Sequence, residues 1–297
     1  MENFPPKART LVAEMSAAAA AEPARTVAFQ GAPGANSHLA VSEHFADPLP
    51  LPCFAFEDAL DAVASGQAAF AMIPIENSLH GRVADIHFLL PESGLSIVAE
   101  HFLPIRHCLL GFAGEPVREA ISHPQALGQC RRWLREREIT PVQFADTAAA
   151  AGKIADGKHP GVAAIAPKIA AGLYGLDVIA EDISDSDDNT TRFVVLAREA
   201  LTPPIGQPSM TTLTFEVKNV PAALYKAMGG FATNGVNVTK LESYQRGTSF
   251  AATEFYADIE GDPAQANVAR ALEELAFHTK WVRVIGSYQQ ARPRTVV

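Results

Sequence analysis

Between Asp182 and Leu196 an acidic loop runs into Asn189, Thr190, Thr191, Arg192 and Phe193, followed by the apolar run Val194, Val195, Leu196. A permanently charged guanidinium beside two hydroxyls and an amide, at the start of a strand that reads as buried on both faces, suits the handling of a small anion. The same residues have a purely structural reading. Threonine is a good strand former, and Arg192 can pair with Asp187 or Asp188 on the surface. Local chemistry leaves the two readings level.

Other polar groups cluster where an α/β chain places ligands. The apolar stretch Ala69 to Ile73 reads as a buried strand that Pro74 stops, and Glu76, Asn77, Ser78, His80 and Gly81 gather at its C-terminal end. In open parallel sheets that end is where ligands bind. Gly31 to Ser37 joins the short strand Thr26 to Gln30 to a helical pattern through Phe45. A glycine-rich turn before a helix offers backbone N–H groups to an anion, but the spacing fits neither the dinucleotide fingerprint nor the phosphate loop, so a structural turn is preferred. Ser122 to Cys130 opens a helix with Trp133 and Leu134, and for His123 alone capping suits better than catalysis. Asp58, and Asp146 with Thr147, read as helix caps. The run Asp182, Asp185, Asp187, Asp188 lacks calcium-loop spacing and reads as a solvated lid or hinge.

The elements that must hold these groups follow from bulk properties and periodicity. At 297 residues and 48% hydrophobic, the chain has length and apolar content for about two domains. A net charge of -9 argues against nucleic acid and anionic membrane as partners. Cys53, Cys108 and Cys130 form no paired motif for zinc or redox chemistry and read as reduced, buried thiols in a cytoplasmic protein. Met1 to Arg25 contains an alanine run but no leucine-dense secretory core, so a flexible or frayed extension is expected. No segment approaches a membrane span in length.

An internal repeat aligns Phe56, Asp58 and Ala62 with Phe144, Asp146 and Ala150, each followed by helix, glycine, apolar strand and proline. Two related lobes with a cleft between them are expected. After the linker Pro203, Pro204, Gly206, Pro208 the texture changes. Leu213, Phe215 and Val217 alternate as a strand, and Leu224, Ala227, Met228 and Phe231 make a helical stripe ended by Asn234 and Gly235. Strands follow at Val236 to Tyr244 and Ala251 to Ile259, joined through Arg246 and Gly247. Pro263 then opens a helix, and Trp281 to Ile285 is a last strand. The order βαββαβ is the ferredoxin-like arrangement, more often a binding module than a catalyst.

Five ordered blocks (Val27 to Ser37, Met72 to Gly81, His123 to Cys130, Asp146 to Ala150 and Asn189 to Phe193) together resemble prephenate dehydratase, and Thr211 to Tyr288 resembles its C-terminal ACT domain. The resemblance spans nearly everything from Arg25 to Gln289. It implies a bilobal α/β catalytic domain similar to a periplasmic binding protein, with the site in its cleft, and a ferredoxin-like ACT domain that senses phenylalanine. The organisation expected is an extension over 1–25, a dehydratase domain over 26–200 with lobes 26–104 plus 184–200 and 105–183, a linker over 201–209, an ACT domain over 210–289 and a tail over 290–297. The N-terminal stretch is too short for the mutase fused to some relatives, so a monofunctional enzyme is expected.

The resemblance further implies loss of carbon dioxide and water from the dianion prephenate, giving phenylpyruvate without cofactor or metal. It points to Thr191 as the hydroxyl that protonates the departing ring hydroxyl, with Glu76 as the alternative donor if desolvated. A tight cation on the ring carboxylate would stabilise charge that disappears in the transition state. Arg192 is therefore expected on the pyruvyl carboxylate, and Asn77, Ser78 and Thr147 as neutral donors on the ring carboxylate. Gly81, His123, Gln125 and Phe193 complete the expected substrate site. Pro221, Ala222, Ala223, Leu224, Asn234, Leu241, Glu242 and Ser243 form the expected phenylalanine site, which departs from relatives with Gly-Ala-Leu and Glu-Ser-Arg-Pro at the corresponding turns. A methyl at position 222 removes space and φ freedom there. A homodimer or homotetramer is expected through sheet edges. Arogenate dehydratase is the alternative within the class, and a non-catalytic bilobal sensor the alternative outside it.

Overall fold

The computed structural model describes residues 4–83, 86–114, 116–157, 159–245 and 253–294. In chain order the elements are α1 (Pro6–Ala21), β1 (Thr26–Gln30), α2 (Asn36–His44), β2 (Leu49–Cys53), α3 (Phe56–Ala64), β3 (Phe70–Asn77), β4 (Gly81–Arg82), α4 (Ile86–Leu89) and β5 (Ser96–Pro104). There follow β6 (Cys108–Gly111), β7 (Glu119–Ser122), α5 (Pro124–Gln129), α6 (Arg131–Glu136), β8 (Thr140–Gln143), α7 (Thr147–Ala155), β9 (Val162–Ala166), α8 (Ile169–Tyr174), β10 (Asp177–Ala180) and β11 (Thr190–Ala197). The C-terminal part comprises β12 (Ser209–Val217), α9 (Ala223–Thr233), β13 (Val238–Tyr244), β14 (Glu254–Glu260), α10 (Ala266–His278) and β15 (Thr279–Gln289). The expected link through Arg246 and Gly247, and a strand start at Ala251, fall outside the described residues.

Two sheets carry the N-terminal lobes. The first has order β2-β1-β3-β11-β5 with β4 against β3; the second has order β10-β6-β9-β7-β8. Within them β2-β1-β3 and β8-β7-β9 are matching parallel triplets, so the repeat exists as topology. Its residue equivalence does not hold. Asp146 is the N-cap of α7, whereas Asp58 lies inside α3 and accepts the Ala55 N–H at 3.0 Å, so the alanine-rich match is out of register. Chain crossings at 105–107 and 181–189 are tied together: the Ile105 N–H donates to the Asn189 carbonyl (2.8 Å) and the Ile183 N–H to the His107 carbonyl (3.0 Å).

Proline 74 does not end its strand, since β3 runs on to Asn77. Pairing of β1 with β3 ends at Met72, so the donor missing at Pro74 falls beyond that ladder.

The expected flexible extension is instead an ordered helix. Phe4, Ala8, Val12 and Ala19 are buried, and the first three share a core with Ala35 of the first lobe and with Ala148 to Ala151, Ile154 and Tyr174 of the second. Small residues make this possible: a Cβ added to Gly152 would stand 3.3 Å from the Ala8 Cβ. Tertiary packing, rather than helix propensity alone, orders such a short segment.

The chain forms two compact units, Met1–Val83 with His101–Phe193, and Ala84–Glu100 with Val194–Val297. The second unit thus takes in 84–100 and 194–200, which the sequence assigns to the catalytic domain. Its cause lies in contacts inside that unit. The His87 ring stands edge-on to Tyr256 with centroids 4.9 Å apart, Arg283 donates to the Pro91 carbonyl, and the Arg294 guanidinium pairs with buried Glu100. The antiparallel sheet β13-β14-β12-β15 with α9 and α10 on one face has the ferredoxin-like order. All three cysteines are free and buried, and no helix among the described residues is long and apolar enough to cross a membrane.

Candidate active site

Side chains alternate between the faces of a strand, so Thr191 and Arg192 leave β11 on opposite sides, as Asn77 and Glu76 leave β3. The contacts follow this parity. Asn77 Nδ2 donates to Thr191 Oγ1 (2.9 Å) and to Asn189 Oδ1 (2.7 Å), while Arg192 faces Glu76 with 3.7 Å between nitrogen and carboxylate oxygen. Asn77 Oδ1 accepts the N–H groups of Leu79 (3.0 Å) and His80 (3.1 Å). Both ends of the Asn77 amide are therefore committed within the chain. Asn77 orients Thr191; it is not the open donor to a substrate carboxylate that the sequence suggested.

Thr191 is 9% exposed, and its hydroxyl oxygen accepts from Asn77. No acceptor for its proton exists among the described residues, which leaves the O–H able to donate to a bound molecule. Ser78 is fully engaged: Oγ donates to the Asp188 carbonyl (2.7 Å) and accepts the Thr190 N–H (2.9 Å). Arg192 is 5% exposed and held on the Glu76 side, away from Thr191. The Glu76 side chain is 37% exposed and turns to Arg192 rather than to Thr191. Phe193 is 1% exposed and belongs to the core. Gly81 is exposed with φ +74° and open space around it, so its backbone conformation, not close ligand approach, calls for glycine.

From the second lobe, His123 is the N-cap of α5 and its Nδ1 accepts the Gln125 N–H at 3.3 Å; the Gln125 side chain is exposed. Asp146 caps α7 through the Ala149 N–H (2.7 Å). Burial pushes its carboxyl above the usual range, opposed by the N–H groups of Ala149, Ala148 and Ala32. Ala32 belongs to the first lobe, as does Gly31, where an added Cβ would lie 3.5 Å from Asp146 Oδ2. Tyr174 likewise donates across the lobes to the Pro33 carbonyl (2.9 Å). Thr147, next to Asp146, is half-buried, and its hydroxyl has no hydrogen-bond partner among the described residues.

The acidic loop is a tether more than a lid. Asp185 accepts the N–H groups of Arg132 (2.9 Å) and Trp133 (3.2 Å) at the start of α6, and Asp187 pairs with Arg106 (2.8 Å), not with Arg192.

Four residues near the site were given no individual role from the sequence, although Asn189, His80 and Gln129 lie in the stretches it singled out. Asn189 is 2% exposed and its Nδ2 has no hydrogen-bond partner among the described residues. His80, Gln129 and His107 form a chain: His80 Nδ1 lies 3.1 Å from Asn77 Oδ1 and 3.3 Å from Gln129 Nε2, and Gln129 Oε1 lies 2.6 Å from His107 Nε2. His80 and Gln129 stand inside the motif blocks; His107 carried no signal.

The expected phenylalanine residues are distributed around α9 and β13. Ala222 precedes α9 in the left-handed region (φ 60°, ψ 18°), and Leu241 and Glu242 lie on β13 with Glu242 facing Lys240 at 3.7 Å. Asn234 is committed elsewhere: Nδ2 donates to the Gly230 carbonyl and Glu274 (both 2.8 Å), and Oδ1 accepts from Arg270.

A bilobal α/β unit with a buried, oriented hydroxyl, followed by a ferredoxin-like domain, defines the class. Residues 27–201 match the prephenate dehydratase family model, and the chain belongs to that family. It is 46% identical over 268 residues to a bifunctional N-acyl-homoserine lactone acylase/prephenate dehydratase of Komagataeibacter europaeus, covering 89% of this chain and 95% of that protein. It is 36% identical over 279 residues to arogenate dehydratase/prephenate dehydratase 1 of Arabidopsis thaliana, covering 88% and 71%. Among solved structures, prephenate dehydratase from Arthrobacter aurescens in complex with L-Phe superposes with TM-score 0.83 at 31% identity, covering 92% of this chain and 93% of that one.

Proposed function

We propose that this chain is a prephenate dehydratase in which Thr191 donates the proton that turns the departing ring hydroxyl into water. The observation that carries this is the Thr191 O–H, buried, oriented by Asn77 and without an acceptor among the described residues. As the C–O bond breaks, the electron pair of the ring C–carboxylate bond moves into the ring, carbon dioxide leaves and phenylpyruvate forms. The Thr191 oxygen recovers its proton from water, so one proton is consumed per turnover. A threonine hydroxyl is a weak acid, so transfer has to accompany C–O cleavage. With Asn77 and Ser78 committed, Thr147 and the unpaired Asn189 Nδ2 are the neutral donors left for the ring carboxylate.

The test is turnover of purified prephenate and arogenate, timed separately. Prephenate is expected to be the better substrate; activity on neither rejects the reading. Thr191→Ala should lower kcat by about 10²–10⁴-fold and Thr191→Ser should restore part of it. Wild-type turnover by Thr191→Ala would reduce Thr191 to a strand-starting residue. The Arabidopsis relative supports the arogenate alternative. The Komagataeibacter relative, similar over 95% of its length, favours a second reading, an added amide hydrolysis on N-acyl-homoserine lactones. Release of free homoserine lactone measures that directly.

The phenylalanine complex of the Arthrobacter relative supports feedback by phenylalanine on this chain. The edge positions of β13 and β15 in the four-stranded sheet support assembly as a homodimer or homotetramer.

A further inference from the structure

Gln129 closes α5 with its amide between two histidines. Oε1 lies 2.6 Å from His107 Nε2 and Nε2 lies 3.3 Å from His80 Nδ1. The two ends of an amide have nearly the same shape, so something must decide which end faces which histidine. His107 is 2% exposed and its Nδ1 has no hydrogen-bond partner among the described residues. Burial also lowers its pKa, keeping the ring neutral with a single proton to place. With that proton on Nε2, the ring donates to Oε1 and leaves only a lone pair unmatched. With the amide reversed, Nε2 has to accept and the proton moves to Nδ1. A buried donor without an acceptor then remains, the more costly of the two arrangements. The buried ring of His107 therefore selects one amide orientation.

We propose that His107 is a positioning residue for the dehydratase: its Nε2–H donates to Oε1 of Gln129 and holds the NH2 of that amide toward His80 and the cleft. The proposal rests on the dehydratase reading above. With the NH2 of Gln129 facing it, His80 Nδ1 is the acceptor, which places the His80 ring beside the Asn77 amide, 3.1 Å from Oδ1, and Asn77 in turn donates to Thr191. His107 acts through Gln129 and touches no substrate.

Two measurements test it. Ring nitrogen shifts in histidine-labelled protein should show His107 as the neutral Nε2–H tautomer at pH 7, with that signal shifted in Gln129→Leu. A Nδ1–H tautomer or a charged ring overturns the proposal. In steady-state kinetics on prephenate, His107→Leu should lower kcat/KM roughly tenfold, the scale of one lost hydrogen bond. His107→Gln, whose amide NH2 reaches a similar position, should recover most of that, and His107→Leu should have no further effect in a Gln129→Leu background. Thermal midpoints of each variant separate folding loss from this effect. Additive losses in the double variant, or no rescue by His107→Gln, overturn it. A wild type inert on prephenate sinks the dehydratase reading and this role with it. The tautomer shift in Gln129→Leu would then still establish the pair.

Discussion

At the scale of single residues, the site is built by commitment of partners. Asn77 spends both ends of its amide on the chain and so occupies one lone pair of Thr191, while the hydroxyl proton meets no acceptor among the described residues. Asn189 is the converse, a buried amide with an unmatched donor, which costs about 1–3 kcal/mol unless a ligand or water meets it. His38 shows what burial does to a titrating ring. It stacks on Phe29 with centroids 5.2 Å apart, its Nδ1 accepts the Gly34 N–H, and burial pushes its pKa down to about 4. Between pH 6.5 and 4 the unfolded chain binds a proton here that the folded chain refuses. Stability from this group is therefore intact above pH 6.5, falls through that window, and is lost by up to about 3 kcal/mol near pH 4. His38→Asn, which keeps an acceptor near Nδ1, should flatten that stretch of a stability-against-pH curve measured by denaturant unfolding. An unchanged slope would assign the acid sensitivity to other groups.

At the scale of elements, α9 begins under strain. Ala222 sits at φ 60°, where an L-residue with a Cβ is disfavoured by roughly 1–2 kcal/mol. Ala222→Gly removes that cost but adds unfolded-state entropy, for a net gain of about 0.5–1 kcal/mol. A thermal melt should rise by a few degrees; a fall would mean that Ala222 is well accommodated. The far end of α9 is locked onto α10: a Cβ added at Gly230 would stand 2.7 Å from the Glu274 Cβ, and Asn234 bridges the same pair of helices. Helix α1 is the other element whose role depends on packing. Its buried Ala8 and Val12, with Phe4 just before it, pack with residues of both lobes, bracing the joint that Tyr174 and Asp146 make with the loop Gly31 to Ala35.

At the scale of the whole molecule, two compact units divide the proposed work, reaction in one and sensing in the other. Feedback requires phenylalanine to bind one state of the protein better than another. Titrating phenylalanine into the full chain should give saturable binding and a matching loss of prephenate turnover. Binding without any change in rate would leave the ferredoxin-like domain without a regulatory coupling. The altered turn at Ala222 makes the affinity the informative quantity, and Ala222→Gly should tighten it if space and φ at that turn limit the site.

The order of the motif blocks, the buried strands, the capping roles of His123 and Asp146 and the βαββαβ arrangement were legible from residue types and spacing, because each depends on neighbours a few positions away. The residues nearest Thr191 were also legible as a group, carried by the blocks at 72–81 and 189–193. What was not legible is which side chains remain available. Asn77 meets Asn189 and Thr191 across more than a hundred residues, and strand parity puts Arg192 beside Glu76 on the other face. The burial of α1 depends on surfaces that exist only after both lobes have formed. His107 has no local signal, and the role proposed for it arises because the chain crossing at 105–107 brings it within hydrogen-bond distance of Gln129. Residue order was enough to place the elements and the company that Thr191 keeps. Which polar atoms the chain satisfies and which it leaves for a ligand emerged with the folded packing, since hydrogen-bond satisfaction is a property of distance in space.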